Sequence, residues 1–436
     1  MLRLFIGLTL IYLTKKCWSQ GLRGVDSIEL PIGAADVPHG HGEATHVYKE
    51  NIAGLLSRRD IIKRRRVLPD HMHSVVFVVR QKNLEELTRI LHDVSNPSSS
   101  NYGRYLSAQA VTNLTANPES SRAVISYLSL NGASIVSETP DSEYITANAT
   151  IAVWEKMLLA KFYIFHQTHN SRVEEFVRTE QYWIPKELDS HLECVFNTIQ
   201  LPHRLFGELE SLTPTPIEQF DQNNNTKKFS SSGTVTPATL KSFYNITTQG
   251  SAESTQAIYA AIRQYYSPSD LKLFQADNNL PNQPVSKNVG NYSSDRMCLA
   301  DPANCAEGNL DVQYIMSTSQ LSPTTYWYTD LVFTDWLISV AAIAKPPLVF
   351  SISYGAEEPS MSGSEMNAFS AQMVKLSVRG VSVLAASGDD GANSRRVRAS
   401  ISGVSDCGYT PIFPASCPYV TTVGATSVSF IFFVSN

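Results

Sequence analysis

The alternation of hydrophobic and polar positions divides the chain into two ordered stretches. In the first stretch, Val- and Phe-rich runs alternate with segments whose apolar residues recur at helical spacing. The predicted strands are 74–79, 143–147 and 161–166, and the predicted helices are 84–94, 120–131 and 151–159. Strands and helices interleaved in this way predict a small α/β sandwich of the split βαβ kind over residues 71–210.

The second ordered stretch, residues 234–436, has short apolar runs separated by amphipathic ones. Its predicted strands are 256–262, 325–328, 348–353 and 381–386; its predicted helices begin at 267 and cover 306–317, 335–343 and 364–378. Apolar strands alternating with helices are typical of a doubly wound, mostly parallel sheet. Such sheets bind ligands at the carboxyl ends of their strands, which directs attention to the loops 354–355 and 388–391.

Polar segments flank these stretches. Residues 211–233, with two Thr-Pro pairs, an Asn run and Lys227-Lys228, indicate an exposed linker that proteases can cut. Residues 21–70 are predicted to be irregular, and their basic runs at 58–59 and 63–66 fit either a solvated loop or a processing site. His39, His41 and His46 suggest a flexible loop rather than a metal site, because no Cys or carboxylate cluster completes them.

The amino terminus has the pattern of a secretory signal over residues 1–20. Arg3 precedes the apolar run Leu4–Leu13, and small or polar residues follow it. A membrane anchor is the alternative, but the run is too short to span a bilayer, and no later stretch is long and apolar enough. N-glycosylation sequons agree with secretion and occur at Asn113, Asn148, Asn224, Asn245 and Asn291.

Six cysteines fit an oxidising compartment. Cys17 would be removed with the predicted signal. Cys298 with Cys305 and Cys407 with Cys417 are close enough in sequence for two local disulfides, which leaves Cys194 unpaired unless the partners are exchanged or missing. The formal net charge of −5 gives no sign of nucleic-acid binding.

Candidate chemistry comes from two carboxylates in a half of the chain that has no histidine after His203. Glu307 and Asp311 stand four residues apart on a predicted helix, so they lie on one face. This composition excludes a Ser-His-Asp or Cys-His mechanism in the second half and leaves a carboxylate as general base. Taken alone, the pair also fits a solvated helix face, and the string 387–392 also fits an ordinary turn.

Four motifs in order resemble the sedolisin family, the serine-carboxyl peptidases. They are Ala306–Tyr314, Ser353–Gly355, Ala386–Asp389 and Phe413–Thr426. Residues 75–109 are similar to that family's propeptide, so the resemblance runs from about residue 70 to about 427. It implies a subtilisin-like doubly wound sheet behind an activation domain, and an acid peptidase proenzyme of the secretory pathway, lysosomal or extracellular. Its expected partners are peptides or unfolded proteins and its own propeptide.

The resemblance also implies roles for individual residues. Glu307 matches the general base, Asp311 the acid that orients it, and Asp389 the donor of the oxyanion hole. Ser353, Tyr354 and Gly355 match the strand that pairs with the substrate backbone. A carboxylate base has an ordinary pKa of about 4, and Asp389 donates a hydrogen bond only when protonated, so the enzyme is expected to work in acid.

Three departures from the family pattern qualify these expectations. The nucleophile is expected in a Gly-Thr-Ser-x-Ser motif downstream of Thr426, and residues 424–427 belong to the preceding motif instead. The calcium expected for the family has its ligands in a part that these residues do not include. After Tyr354-Gly355, one exopeptidase of the family carries acidic residues that hold the substrate's amino terminus, whereas this chain has Ala356 and then Glu357, the remaining candidate.

Two hypotheses therefore stay open. The first is a proenzyme that removes short peptides from protein amino termini after it loses its propeptide near Lys227-Lys228. The second is a catalytically inactive, truncated pseudo-peptidase that acts as a propeptide-type inhibitor or binding protein.

Overall fold

The computed structural model describes residues 45–52, 61–169, 172–202, 235–329, 333–389 and 410–425. Within these residues, none of the helices has the length and apolar character needed to cross a bilayer. The predicted signal segment, the linker 211–233, the pair Arg58-Arg59, the sequon at Asn224, and both His39 and His41 lie outside the described residues.

In the residues that the structure describes, the amino-terminal unit consists of three small antiparallel sheets and four α-helices. Its strands are β1 His46–Asn51, β2 Ile61–Arg66, β3 Met72–Val79, β4 Ser134–Glu138, β5 Tyr144–Thr150, β6 Phe162–His169, β7 Arg172–Thr179, β8 Gln181–Pro185 and β9 Leu192–Phe196. Its helices are α1 Leu84–Ser95, α2 Ala108–Thr115, α3 Pro118–Leu130 and α4 Ile151–Met157. The sheets have the strand orders β4-β5-β3-β9, β2-β6-β7 and β1-β8.

The second part of strand β3, Val75–Val79, is buried on both faces, which explains its continuous apolar run. Val75 and Phe77 belong to the core that the amino-terminal unit forms with its own helices. Val76 and Val78 point the other way and join the core of the carboxyl-terminal unit. Because side chains alternate along a strand, one Val-rich segment packs against two layers at once.

Among the described residues, the carboxyl-terminal unit is built on a six-stranded sheet. Its strands are β10 Gln256–Ala260, β11 Lys287–Val289, β12 Thr324–Tyr328, β13 Val349–Ile352, β14 Ala356–Glu357, β15 Ser382–Ala386, β16 Ile412–Phe413 and β17 Thr421–Val423. Its helices are α5 Pro237–Phe243, α6 Pro268–Asp277, α7 Asp295–Ala300, α8 Ala306–Thr318, α9 Thr334–Ala341 and α10 Gly363–Ser377. The sheet order is β11-β12-β10-β13-β15-β17, and every neighbouring pair is parallel.

Helices cover both faces of this sheet. From the central strand β10, Tyr259 packs into a core with Trp336 of α9 and with α10. Ile258 faces the opposite side, where it shares a core with Leu271 of α6 and Val312 of α8. A parallel sheet with helices on both sides confirms the predicted doubly wound α/β class.

The two units meet along helix α10. Val374 and Val378 join an apolar cluster with Leu87, Leu91 and other residues of the amino-terminal unit. The backbone N–H of Leu106 donates to the Val378 carbonyl at 2.9 Å. The amino-terminal unit therefore covers α10 through an apolar contact surface with this hydrogen bond beside it.

The basic run of the amino-terminal segment corrects the expectation of an irregular loop. Residues 61–66 form strand β2, which pairs antiparallel with β6. Ile61 is buried, and Lys63 bonds Glu180 at 2.6 Å while its ammonium lies 3.9 Å from the ring centre of Tyr163. The local polarity does not predict this strand, because pairing with β6 and the burial of the single side chain of Ile61 hold it in place.

The cysteines agree with the prediction at two points and differ at a third. Cys298 and Cys305 form a disulfide, and Cys194 is a buried free thiol. Cys417 is also a buried free thiol, contrary to the predicted bridge with Cys407, which lies outside the described residues. The Cys417 sulfur instead lies 3.5 Å from the Ser370 hydroxyl of α10.

Candidate active site

The candidate site lies where several chain segments leave the carboxyl ends of parallel strands. Residues 261–265 follow β10, residues 353–355 follow β13, and residues 387–389 follow β15. Helix α8 presents its first turns to the same edge. This is the edge at which open α/β sheets bind ligands, because the loops there converge from adjacent strands.

Helix α8 carries both acids of the predicted pair. Glu307 is its second residue, and Asp311 follows one turn later. Both side chains are half-buried, whereas Leu310 between them is about 50% exposed. The face that carries the pair therefore turns towards the sheet edge, and the alternative of a freely solvated helix face does not hold.

The electrostatics of the pair follow from burial. Burial raises the pKa of Asp311 well above its usual range, and the charge of Glu307 adds to the rise. Burial likewise raises the pKa of Glu307, and the charge of Asp389 adds to it, while hydrogen bonds from Ser353 and Asp311 work in the opposite direction. Two neighbouring acids in such surroundings share a proton more readily than they both ionise.

Gly308, between the two acids in sequence, permits their close approach to the sheet. A Cβ at this position would overlap the carbonyl oxygen of Tyr265 and would lie 2.6 Å from the Tyr326 hydroxyl. Only a residue without a side chain lets α8 sit this close to the loop after β10. Gly308 thus determines how closely the acid pair approaches the edge of the sheet.

The segment Ser353–Gly355 lies beside the pair. The Ser353 hydroxyl donates to Asp311 Oδ1 at 2.8 Å. Tyr354 is buried, and a Cβ on Gly355 would come within 2.9 Å of the Phe413 carbonyl oxygen. Glu357, in β14, is half-buried and in antiparallel register with Ile412.

Asp389 is the third carboxylate of the site. It is exposed and follows Gly388, whose φ of +92° is accessible mainly to glycine. Its charge raises the pKa of Glu307, so the two groups lie within electrostatic range. The structure thus brings Glu307, Asp311, Asp389 and Ser353 to one edge of the sheet.

Gln264 is a contact of the pair that the sequence patterns missed. Its side-chain Oε1 accepts the backbone N–H of Glu307 at 3.2 Å, and its carbonyl accepts the Tyr326 hydroxyl at 2.9 Å. Gln264 lies in an irregular loop, where no hydrophobic periodicity marks individual positions. The sequence indicates its role only by its position just after an apolar strand.

The family resemblance implies a calcium ion whose ligands are expected outside these residues. Among the described residues, no group of three or more His, Cys, Asp or Glu side chains is placed to hold a metal ion. Calcium binding stays a prediction, and no catalytic step below involves it.

Comparisons with known proteins agree with the architecture. Residues 59–201 match the family model described as Pro-kumamolisin, activation domain. The chain is 30% identical over 385 residues to tripeptidyl-peptidase 1 of Pan troglodytes and to that of Homo sapiens, which covers 84% of this chain and 64% of each relative. It is 31% identical over 381 residues to that of Canis lupus familiaris, covering 81% of this chain and 61% of the relative.

The chain thus spans just under two thirds of the length of these curated relatives. A solved structure, Pseudomonas sedolisin (serine-carboxyl proteinase) complexed with two molecules of pseudo-iodotyrostatin, is 20% identical with a TM-score of 0.34. That likeness covers 43% of this chain and 52% of the other.

Proposed function

Because the chain belongs to the sedolisin family of serine-carboxyl peptidases, we propose that it is an acid peptidase proenzyme of the tripeptidyl-peptidase kind. One observation carries the proposal. Glu307 and Asp311 form a half-buried pair at the carboxyl edge of the parallel sheet, and Asp311 is hydrogen-bonded to Ser353.

Each of the three carboxylates has a separate role in the proposed acyl transfer. Glu307 removes the proton of a serine hydroxyl as that oxygen bonds to the peptide carbonyl carbon, and later gives the proton to the departing amine. Asp311 shares a proton with Glu307 and orients it. Asp389, when protonated, donates a hydrogen bond to the oxyanion that forms on the carbonyl oxygen.

The surroundings of the pair suit weakly acidic conditions. A general base is most effective when its pKa lies near the working pH, and burial raises the pKa of Glu307 above that of an ordinary glutamate. Asp389 can donate a hydrogen bond only in its protonated form. The proposed working range is therefore acidic, which agrees with a lysosomal or extracellular destination reached through the secretory pathway. The Cys298–Cys305 disulfide is of the kind formed on that route.

Substrate contacts are assigned to the segment beside the pair. Ser353–Gly355 pairs with the backbone of an extended peptide or unfolded protein, and Glu357 binds its free amino terminus. The amino-terminal unit, which covers α10, is the propeptide that is removed on activation, with cleavage near Lys227-Lys228.

A serine in the family's Gly-Thr-Ser-x-Ser motif is not among the 436 residues. The proposed acyl transfer needs such a serine as the nucleophile that Glu307 activates. The second candidate function, an inactive propeptide-type inhibitor or binding protein, draws its support from the apolar seam between the propeptide unit and α10.

The first experiment joins this chain, up to residue 423, to the carboxyl-terminal part of human tripeptidyl-peptidase 1 that follows the aligned region. Peptides with free and with acetylated amino termini are incubated with the fusion between pH 3 and 7, and released fragments are identified by mass spectrometry. Tripeptide release from free amino termini in acid is expected, with loss of at least a hundredfold in Glu307→Gln and Asp311→Asn.

Glu253→Gln, an exposed carboxylate outside the site, serves as the matched control and should retain full activity. A folded, active fusion that tolerates Glu307→Gln would refute the base assignment. A folded but inactive fusion, together with tight inhibition of a full-length relative by the unmodified chain, would favour the inhibitor function.

A further inference from the structure

We propose that Gln264 is the positioning residue for Glu307: its side-chain carbonyl caps the first turn of α8 from a separate loop and holds the acid pair in register with the sheet edge. The inference depends on the proposed function only in that Glu307 is called the general base. The capping contact itself is the 3.2 Å bond from the Glu307 N–H to Gln264 Oε1.

The first turn of α8 needs an outside acceptor. The first N–H groups of a helix have no partner within it, and a Ser, Thr, Asp or Asn at the N-cap usually accepts one of them. Here the N-cap is Cys305, whose sulfur is bonded to Cys298 and which makes no side-chain cap. Gln264 supplies the missing acceptor at Glu307, the second residue of the helix.

Three hydrogen bonds fix Gln264 and the residue that follows it. Its Nε2 donates to the Ala303 carbonyl at 3.0 Å, just before the helix begins. Its backbone carbonyl accepts the Tyr326 hydroxyl at 2.9 Å, and the next residue, Tyr265, donates its N–H to the Asn304 carbonyl at 2.8 Å. The side chain therefore connects the loop after β10 to the start of α8 through hydrogen bonds.

The loop that delivers Gln264 is strained. Ile262 and Arg263 have φ values of +63° and +58°, a region that is costly for a β-branched residue such as Ile262. The Arg263 N–H donates to the Tyr328 hydroxyl at 2.9 Å and so helps to hold this conformation. Its guanidinium also bonds Glu174 of the propeptide unit at 2.8 Å, but this pair is exposed and adds little stability. Strain of this kind persists where the surroundings over-determine a conformation, which is what a positioning loop requires.

Loss of this cap should change the pH at which Glu307 titrates. Its carboxyl faces Asp311 on its own helix, Asp389 after β15, Tyr326 on β12 and Tyr354 after β13. Without the cap, the first turn of α8 frays and the Glu307 side chain moves towards solvent. Its surroundings then become those of an exposed glutamate.

The test is a ¹³C-carboxyl NMR titration of the full chain, labelled at glutamate, with the Glu307 signal assigned from Glu307→Gln. Gln264→Met removes the acceptor at similar volume, and Gln264→Asn shortens the amide out of reach. Both should lower the Glu307 midpoint by about half a pH unit or more, a threefold change in proton affinity.

Gln283→Met is the matched control. Gln283 also accepts a backbone N–H, from Leu321 at 2.9 Å, and donates to the Ser322 carbonyl, but it lies away from the site. It should lower the melting temperature to a similar degree and leave the Glu307 midpoint unchanged. If both Gln264 variants keep the wild-type midpoint, or if Gln283→Met moves it equally, Gln264 is a structural residue only and the proposal is wrong.

This readout needs no turnover, so it separates the inference from the proposed function. In an active fusion, Gln264→Met should reduce kcat and leave KM nearly unchanged. If the fusion is inactive while Gln264→Met still moves the Glu307 midpoint, the peptidase assignment fails and the positioning role stands.

Discussion

The Ser353 hydroxyl donates a hydrogen bond of 2.8 Å to Asp311 Oδ1, and so ties the loop after β13 to helix α8. The bond joins the segment proposed to bind substrate to the acid that is proposed to orient the base. Because Ser353 follows β13 directly, a substrate strand laid beside this loop would sit against the acid pair.

Removing this donor should change the titration of both acids. A hydrogen bond to an ionised carboxylate favours the charged form, and Ser353 lowers the pKa of both Asp311 and Glu307. Ser353→Ala should therefore raise the midpoints of the pair, measured by carboxyl NMR, by roughly half a unit to one unit. Ser339→Ala, which loses a hydroxyl bonded to the Asp335 carbonyl in α9, should leave them unchanged. A lower midpoint in Ser353→Ala would contradict the assignment.

The half-buried acid pair should make the protein less stable as pH rises. The folded pKa of Asp311 is raised by burial, so the folded state holds its proton more tightly than the unfolded state does. Stability from this group is full below its unfolded pKa of about 4 and is lost as pH rises towards the folded pKa.

Asp311→Asn removes that penalty. The free energy of unfolding at pH 7 should rise by on the order of 1 kcal/mol, with little change at pH 3, as urea denaturation at the two pH values would record. The exposed Asp277→Asn is the control and should alter neither value. An Asp311→Asn protein that is destabilised at pH 7 but not at pH 3 would show that the sign is wrong.

The ion pair between Lys375 of α10 and Glu143 of the propeptide unit is buried on both sides. Lys375→Met leaves the Glu143 carboxylate without its partner and should cost about 3 kcal/mol in unfolding free energy. Adding Glu143→Leu should recover a large part of that loss. Lys63→Met, at the exposed pair with Glu180, should cost less than about 1 kcal/mol. Equal effects of the two lysine changes would mean that the buried pair carries no special weight.

Gly308 should not tolerate even a methyl group. Gly308→Ala drives a Cβ into the Tyr265 carbonyl, so helix α8 must shift, at about 1–3 kcal/mol of stability. Gly363→Ala is the matched control, since a Cβ there meets nothing within 4 Å in the first turn of α10. Chemical denaturation measures the stability, and the Glu307 midpoint reports the shift. A Gly308→Ala protein as stable as Gly363→Ala would contradict the close packing.

Much of the secondary structure follows from local pattern. The apolar run around Val75, the helical spacing from Leu84 and the start of a helix after Ser267 were all predicted close to their observed limits. Strand β2, with one buried residue at Ile61, was not, because pairing with β6 supplies what its sequence lacks. The local pattern likewise does not predict helices α2, α5 and α7 or strands β1, β4, β7, β8, β9, β11, β14, β16 and β17.

The sequence by itself determined the class of the fold and the residue types of the site, because periodicity and residue chemistry are local properties. Spacing and the lack of histidine after His203 identified Glu307 and Asp311 as candidates and restricted the second half to carboxylate chemistry, whereas Asp389 became a candidate only through the resemblance to the sedolisin family. Only the tertiary structure decided that Ser353 bonds Asp311, that Gln264 caps Glu307, and that Cys417 is a free thiol. Those contacts join segments some 40 or more residues apart, and the packing of loops at the ends of parallel strands, not any short pattern, decides which of them meet.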